Sequence, residues 1–301
     1  MTESHPSTAL HELLSPALIA EARRLELRSA RAIDSDTIGE FRSTFRGSGL
    51  TFAELREYEP GDDIRRIDWK ATARSPRTYV KSYLEERSLS ILVAVDTTRS
   101  TEFGAPRTRQ TRALEFAALL AILARRSGDA IGLARFSDRV EEFIRPERKR
   151  SQTQRILTSL LVPRLLAPAT DLARAFDELR TTLRRRTVVF ILSDFFSTPF
   201  ADNLKLLSMR HDVICVQLRD AHSAALPAVG IVRVADAETG EELLIDTGTT
   251  AGQLALASLE DRHSEQLRQT CQAAGADCIV LSSNPLKPLR DLMQQRARRS
   301  R

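Results

Sequence analysis

The stretch Val93-Ala-Val-Asp-Thr-Thr-Arg-Ser-Thr101 ends an apolar run on a carboxylate and follows it with hydroxyls. Asp96, Thr98 and Ser100 stand two residues apart, so a loop leaving a strand can turn all three toward one point. Two readings fit. One is a capped helix start, in which Asp and hydroxyl oxygens accept backbone N–H groups. The other is a cage of hard oxygen ligands around a divalent cation. Further on, Ile191-Leu-Ser-Asp-Phe195 ends a second apolar run on Asp194, and Ala169-Thr-Asp171 precedes an amphipathic segment. Thr170 can add a hydroxyl, whereas Asp171 can cap the following helix. Carboxylates, hydroxyls and waters are the ligand set of Mg²⁺, with Mn²⁺ and Ca²⁺ as alternatives; no soft or imidazole ligand stands among them.

These residues meet only if the elements that carry them are neighbours. From about Tyr79 the pattern alternates between strands and helices. Strands are expected at Tyr79–Tyr83, Leu89–Val95, Ala130–Phe136, Val140–Ile144, Thr187–Leu192, Val213–Leu218 and Asp277–Leu281. Helices are expected at Thr111–Arg126, Gln152–Leu161, Asp171–Leu183, Phe200–Met209, Leu254–Ala274 and Leu286–Arg296. The turn Ser137-Asp138-Arg139 makes Ala130–Ile144 a hairpin, and Ile231–Val234 with Glu242–Ile245 reads as a hairpin insertion around Ala237-Glu-Thr-Gly240. Upstream, Leu10–Ile33 has helical spacing, and the polar segment Ser35–Gly49 reads as a linker or exposed loop.

Such alternation argues for a doubly wound α/β sheet, mostly parallel, with one antiparallel edge. In the strand order 3-2-1-4-5-6 the topological switch falls between the first and fourth strands, where ligands bind beyond the strand C-terminal ends. Asp96 and Asp194 would then face each other across that switch. Two carboxylates so placed repel unless a divalent cation or an arginine sits between them. Each motif alone can be a cap or a turn; the three together, in this order and at these element ends, favour a metal site.

Composition removes several function classes. The chain has 301 residues, 42% of them apolar, enough for one large core or two modest ones. It lacks a run of about 18 apolar residues, so no membrane span is expected, and Met1–Leu10 does not read as a secretory signal. Cys215, Cys271 and Cys278 form no C-x-x-C pair and read as reduced thiols of a cytoplasmic protein. No P-loop, H-E-x-x-H or G-x-S-x-G pattern occurs, and none of the five histidines pairs closely with a cysteine. The net charge is +5, with basic clusters at Arg145–Arg150, Arg184–Arg186 and Arg296–Arg301. These runs carry no interleaved aromatics, which favours solvated surface over a nucleic-acid site.

A second motif is Leu55-Arg-Glu-Tyr-Glu-Pro-Gly-Asp-Asp-Ile-Arg-Arg-Ile-Asp-Trp-Lys-Ala71. Glu59-Pro60-Gly61-Asp62 reads as a turn. Asp62, Asp63, Arg65, Arg66, Asp68 and Lys70 interleave opposite charges, with Ile64, Ile67 and Trp69 as apolar anchors. The plainer reading is a salt-bridged turn that packs the N-terminal segment onto the domain. The functional one is a docking surface whose energetic anchors are Arg65, Arg66 and Trp69, residue types enriched at interface hot spots.

Asp96-x-Thr98-x-Ser100, then Thr170, then Asp194 resembles the metal-ion-dependent adhesion site of von Willebrand factor A domains, with Thr98 where the usual motif has Ser. The Leu55–Ala71 segment resembles the signature of the bacterial domain-of-unknown-function family 58. The two together span about Gly47 to Ser283. The resemblance implies a von Willebrand A-like fold and a metal held directly by Ser100, Thr98 and Thr170, with the aspartates ligating directly or through water. It implies an open metal position filled by a partner's carboxylate, and a gene beside a MoxR-type AAA+ ATPase in chaperone-like or complex-assembly work. Many relatives carry N-terminal membrane helices; none is expected in this chain. The expected layout is a helical N-terminal segment at 1–45, the signature segment at 46–88 and a von Willebrand A-like domain at 89–301. The expected function is non-enzymatic protein binding. The rivals are a metal-dependent phosphohydrolase, which would want a second Asp where Thr98 stands, and a nucleic-acid binder acting through the arginine runs.

Overall fold

The computed structural model describes residues 24, 26–27, 29–31, 33–45, 50–60, 62–64, 67–85, 88–98, 108–162, 170–197, 199–219, 230–235, 242–246 and 248–299. In chain order the elements are α1 (Ser35–Phe45), β1 (Leu50–Glu57), α2 (Trp69–Thr72), β2 (Tyr79–Glu85), β3 (Ser90–Asp96), α3 (Arg109–Ser127), β4 (Ala130–Phe136), β5 (Val140–Glu147), α4 (Arg150–Leu161), α5 (Leu172–Thr182), β6 (Val188–Ser193), α6 (Ala201–Ser208), β7 (Asp212–Leu218), β8 (Ile231–Ala235), β9 (Glu242–Asp246), α7 (Thr250–Ala274), β10 (Asp277–Leu281) and α8 (Leu286–Arg299).

Six strands form the central sheet in the spatial order β10-β7-β6-β3-β4-β5. Numbered within the sheet from the β5 edge, this is 3-2-1-4-5-6, the expected order. All pairs are parallel except β4 with β5. The reason for the near-continuous apolar strands is visible in the packing. Ile91, Val93, Val95, Val188, Phe190 and Leu192 enter one core cluster with α1, α3, α4 and α8. Leu92, Ala94, Val189 and Ile191 enter a second cluster with α5, α6 and α7. Alternate residues point to opposite faces, and helices cover both, so neither face of a central strand can be polar. The sheet and its two helical layers make an α/β, von Willebrand A-like architecture.

Helix α3 runs between two signals that fix its length. Thr108 caps its start by accepting from the Thr111 amide, and Gly128 ends it at φ 74°, a left-handed conformation that suits glycine. Gly132 answers a different need. A Cβ there would lie 2.4 Å from the Ile144 carbonyl oxygen, so the close approach of β5 to β4 requires a residue without one.

Two expectations are corrected. Ser35–Phe45 is helix α1, not a linker. Asp34 caps it, its Oδ1 accepting from the Thr37 amide at 2.7 Å, and Ile38, Phe41 and Phe45 line its inner side against the core. Arg290 of α8 donates to Asp34 and to Thr37 Oγ1, which fastens helix to helix. Polar composition hid a stripe only one residue wide per turn. Of the expected helix Leu10–Ile33, residues before 24 lie outside the described ones, while 24, 26–27 and 29–31 are helical.

The second correction concerns the signature segment. β1 and β2 form a separate two-stranded antiparallel sheet, and β1 has no counterpart in the sequence reading. The turn is present: the Asp62 amide donates to Glu59 O at 3.0 Å, and the Asp62 carboxylate pairs with Arg56. Ile64 and Trp69 are not buried anchors; they are 65% and 69% exposed. Trp69 opens α2, whose N-cap Asp68 accepts from the Lys70 and Ala71 amides, and a single helical turn has no face wide enough to bury such a ring. Ile67 alone of the three is tied in, by a bridge to Val80. Among the described residues no helix is long and apolar enough to cross a membrane.

Candidate metal centre

Asp96 closes β3, and its place in the sheet follows from register. Val95 pairs with Leu192 on one side, and Asp96 itself pairs with Phe136 on the other. Ser193, the last residue of β6, therefore lies beside Asp96 at the switch point. Thr97 anchors the loop that leaves β3, with its amide and its Oγ1 both donating to Phe136 O, at 2.9 and 3.0 Å. Thr98 then turns back. Its amide and its Oγ1 donate to Asp96 Oδ1 at 3.0 and 2.8 Å.

The third segment arrives from the opposite side. Asp171 caps α5, accepting from the Arg174 amide at 3.0 Å. That leaves Thr170 free to face inward, so both roles open at Ala169-Thr-Asp171 are filled by different residues. Thr170 Oγ1 lies 3.0 Å from Thr98 Oγ1 and 3.2 Å from Asp96 Oδ2. Ser197 fixes this approach by donating to Thr170 O at 2.9 Å and accepting from the Leu172 amide at 3.2 Å.

Asp194 follows directly after β6. Its Oδ1 accepts from the Phe196 amide at 3.1 Å, and its backbone carbonyl accepts from His263 Nε2 at 3.0 Å. The Phe196 ring stacks on the His263 ring with centroids 3.9 Å apart. Between Asp194 and this stack, Phe195 takes φ 61°, a strained conformation for a residue with a Cβ. It is held there by burial of its ring and by its amide's 3.0 Å bond to Ser193 Oγ.

The electrostatics match the geometry. Asp96 is 1% exposed and Asp194 2%. Burial pushes the Asp96 carboxyl up to about 6, and the nearby Asp194 charge adds to the rise; hydrogen bonds from Ser193 and Thr98 oppose it. Two buried carboxylates this close call for a counter-charge. An arginine supplies part of it: Arg109 Nη1 donates to Asp194 Oδ2 at 3.0 Å.

The sequence singled out five residues here; Asp96, Thr98 and Thr170 are hydrogen-bonded to one another, and Asp194 is near enough for its charge to act on Asp96. Ser100 lies outside the described residues, as do Arg99, Arg65 and Arg66. Trp69 stands on the separate β1–β2 unit. Four contributors went unread: Ser193, Arg109, Ser197 and His263. Ser193 stands beside Asp194 in the motif, and its strand position gave the available signal.

The donor set fits a hard divalent cation. The oxygens of Asp96, Thr98 and Thr170 are separated by 2.8 to 3.4 Å. Neighbouring ligands of an octahedron with metal–oxygen bonds of about 2.05 Å stand roughly 2.9 Å apart, so hydroxyls and carboxylate already lie near the edges of a Mg²⁺ shell.

Residues 54–266 match the family described as protein of unknown function DUF58. The chain belongs to this family. An uncharacterized relative from Mycobacterium tuberculosis is 32% identical over 298 residues, covering 94% of this chain and 93% of its own. A Mycobacterium bovis protein, also uncharacterized, matches equally. Among solved structures, BatB from Bacteroides thetaiotaomicron aligns over 70% of this chain and 100% of its own, with a TM-score of 0.44 and 11% identity.

Proposed function

We propose that this DUF58 chain is a non-enzymatic protein-interaction module that grips an acidic partner residue through a divalent cation at the end of β3 and β6. The observation that carries the reading is the convergence of Asp96, Thr98 and Thr170 oxygens beside the buried Asp194 carboxylate. Asp96, Thr98, Ser100, Thr170 and Asp194 would hold the ion, Mg²⁺ first, with Mn²⁺ or Ca²⁺ as substitutes. A bound cation would supply an open position for a partner's carboxylate oxygen. The chain's own residues do the rest. Ser193 and Thr98 orient the Asp96 carboxylate, Ser197 sets the height of Thr170, and the Asp194 turn presents the second carboxylate.

Binding suits these groups better than hydrolysis. Both Asp96 oxygens are engaged by Ser193, Thr98 and Thr170, which leaves a poor nucleophile. The position where a phosphohydrolase would want a second Asp holds Thr98, and its hydroxyl is spent on Asp96. The partner proposed is a MoxR-type AAA+ ATPase, or a client that it remodels, met in the cytoplasm. Trp69, with Arg65 and Arg66, would give that partner a second foothold on the signature segment.

The test is association of the purified chain with a MoxR-type AAA+ ATPase, followed by surface plasmon resonance. Binding in Mg²⁺ that disappears with a chelator and in Asp194→Asn is expected. Binding of equal strength with the chelator present would overturn the metal-bridged reading.

A further inference from the structure

Arg109 is placed against its local electrostatics. It is the first residue of α3, where the helix dipole favours acids and disfavours cations. Its side chain is nevertheless only 12% exposed and donates to Asp194, whose own side chain is 2% exposed. The helix dipole does not draw a guanidinium there; the buried Asp194 carboxylate does. The pair joins residues 85 apart in sequence and brings one positive charge to a site that holds two carboxylates.

Resting on the metal-site reading above, we infer that Arg109 is the site's built-in counter-ion and sets its cation affinity. Arg109 Nη1 and a divalent cation compete for the same Asp194 carboxylate. In the metal-free molecule the guanidinium neutralises Asp194; a cation engages Asp194 only as the guanidinium withdraws. The apparent affinity is then the intrinsic one reduced by the fraction of molecules in which Arg109 has let go. Such a site stays closed to weakly held monovalent ions. It favours divalent ions, whose second charge serves Asp96 as well as Asp194.

The experiment is calorimetric titration of Mn²⁺ into the full chain and into Arg109→Gln and Arg109→Lys. Arg109→Gln keeps a polar side chain but lifts the competing charge, and should bind Mn²⁺ about tenfold more tightly or better. Arg109→Lys keeps the charge but loses the planar fork, and should fall between the two. Equal affinities in the parent and Arg109→Gln would overturn the role of Arg109 while leaving the metal site standing. Absence of Mn²⁺ binding in both would overturn the metal reading and this inference with it. A second measurement uses the unaltered chain: modification of Arg109 by an arginine-selective dicarbonyl, mapped by mass spectrometry. Mn²⁺ should speed that modification several-fold as the side chain is released; an unchanged or slower rate would overturn the inference even if Arg109→Gln fails to fold.

Discussion

Ser193 Oγ donates to Asp96 Oδ2 at 2.6 Å across the boundary between β6 and β3. The bond ties together the two strand ends that define the switch point. The same Ser193 oxygen accepts from the Phe195 amide, so one hydroxyl orients the central carboxylate and anchors the strained turn beyond it.

Ser193→Ala should therefore cost more than a typical buried hydroxyl. It removes a charge-assisted bond and leaves the Phe195 amide without its acceptor, about 2–3 kcal/mol together. Urea denaturation of the two proteins checks this. A loss under about 0.5 kcal/mol, the range of an ordinary surface change, would show that Asp96 finds its orientation elsewhere.

Asp96 gives a pH signature with a definite sign. Its folded carboxyl sits at about 6, against 3.8 for the free group. Below the lower value both states are protonated and nothing is lost. Between the two the folded state binds more protons, so metal-free stability falls as pH rises and levels off above about 6. The loss is on the order of 3 kcal/mol. Asp96→Asn cannot ionise and should lack this slope, so with a chelator present it should gain on the parent between pH 4 and pH 7. Parallel stability curves for the two proteins would contradict this account of the site.

The sheet was legible because burial on both faces writes apolar runs into the strands, and β3, β6 and β7 can be read directly. The metal-site candidates Asp96 and Asp194 were legible because both carboxylates end such runs, at strands the alternating pattern makes neighbours. β1 was not, since its pairing with β2 slips between Phe52 and Glu54, and a bulge breaks the two-residue period. Arg109 was not, because nothing local marks it; only tertiary packing brings it to Asp194.

Helix α1 is the other element that only packing explains, and Phe45 tests it. Its ring lies 4.8 Å from Phe41 and 5.8 Å from Phe190, and the Arg296 guanidinium lies over it at 4.8 Å. Phe45→Ala should cost about 3–5 kcal/mol in chemical denaturation. If the helix merely leaned on the domain, the cost would be a small fraction of that.

Trp69 should behave oppositely. With 69% of its surface exposed, Trp69→Ala should change stability by no more than about 0.5 kcal/mol. If the signature segment is a docking surface, the same substitution should weaken binding to the ATPase by about 2 kcal/mol or more. Unchanged partner affinity would remove Trp69 from the interface.

The central claim is that the oxygens at the ends of β3 and β6 hold a divalent cation. Its most direct test is calorimetric titration of Mn²⁺ into the full chain beside Thr170→Val and Asp96→Ala. Thr170→Val keeps the shape of the side chain and removes the hydroxyl that faces Thr98 and Asp96. The account expects one ion per chain, weakened in Thr170→Val and abolished in Asp96→Ala. Mn²⁺ binding that is indifferent to both substitutions would place the ion elsewhere and contradict it.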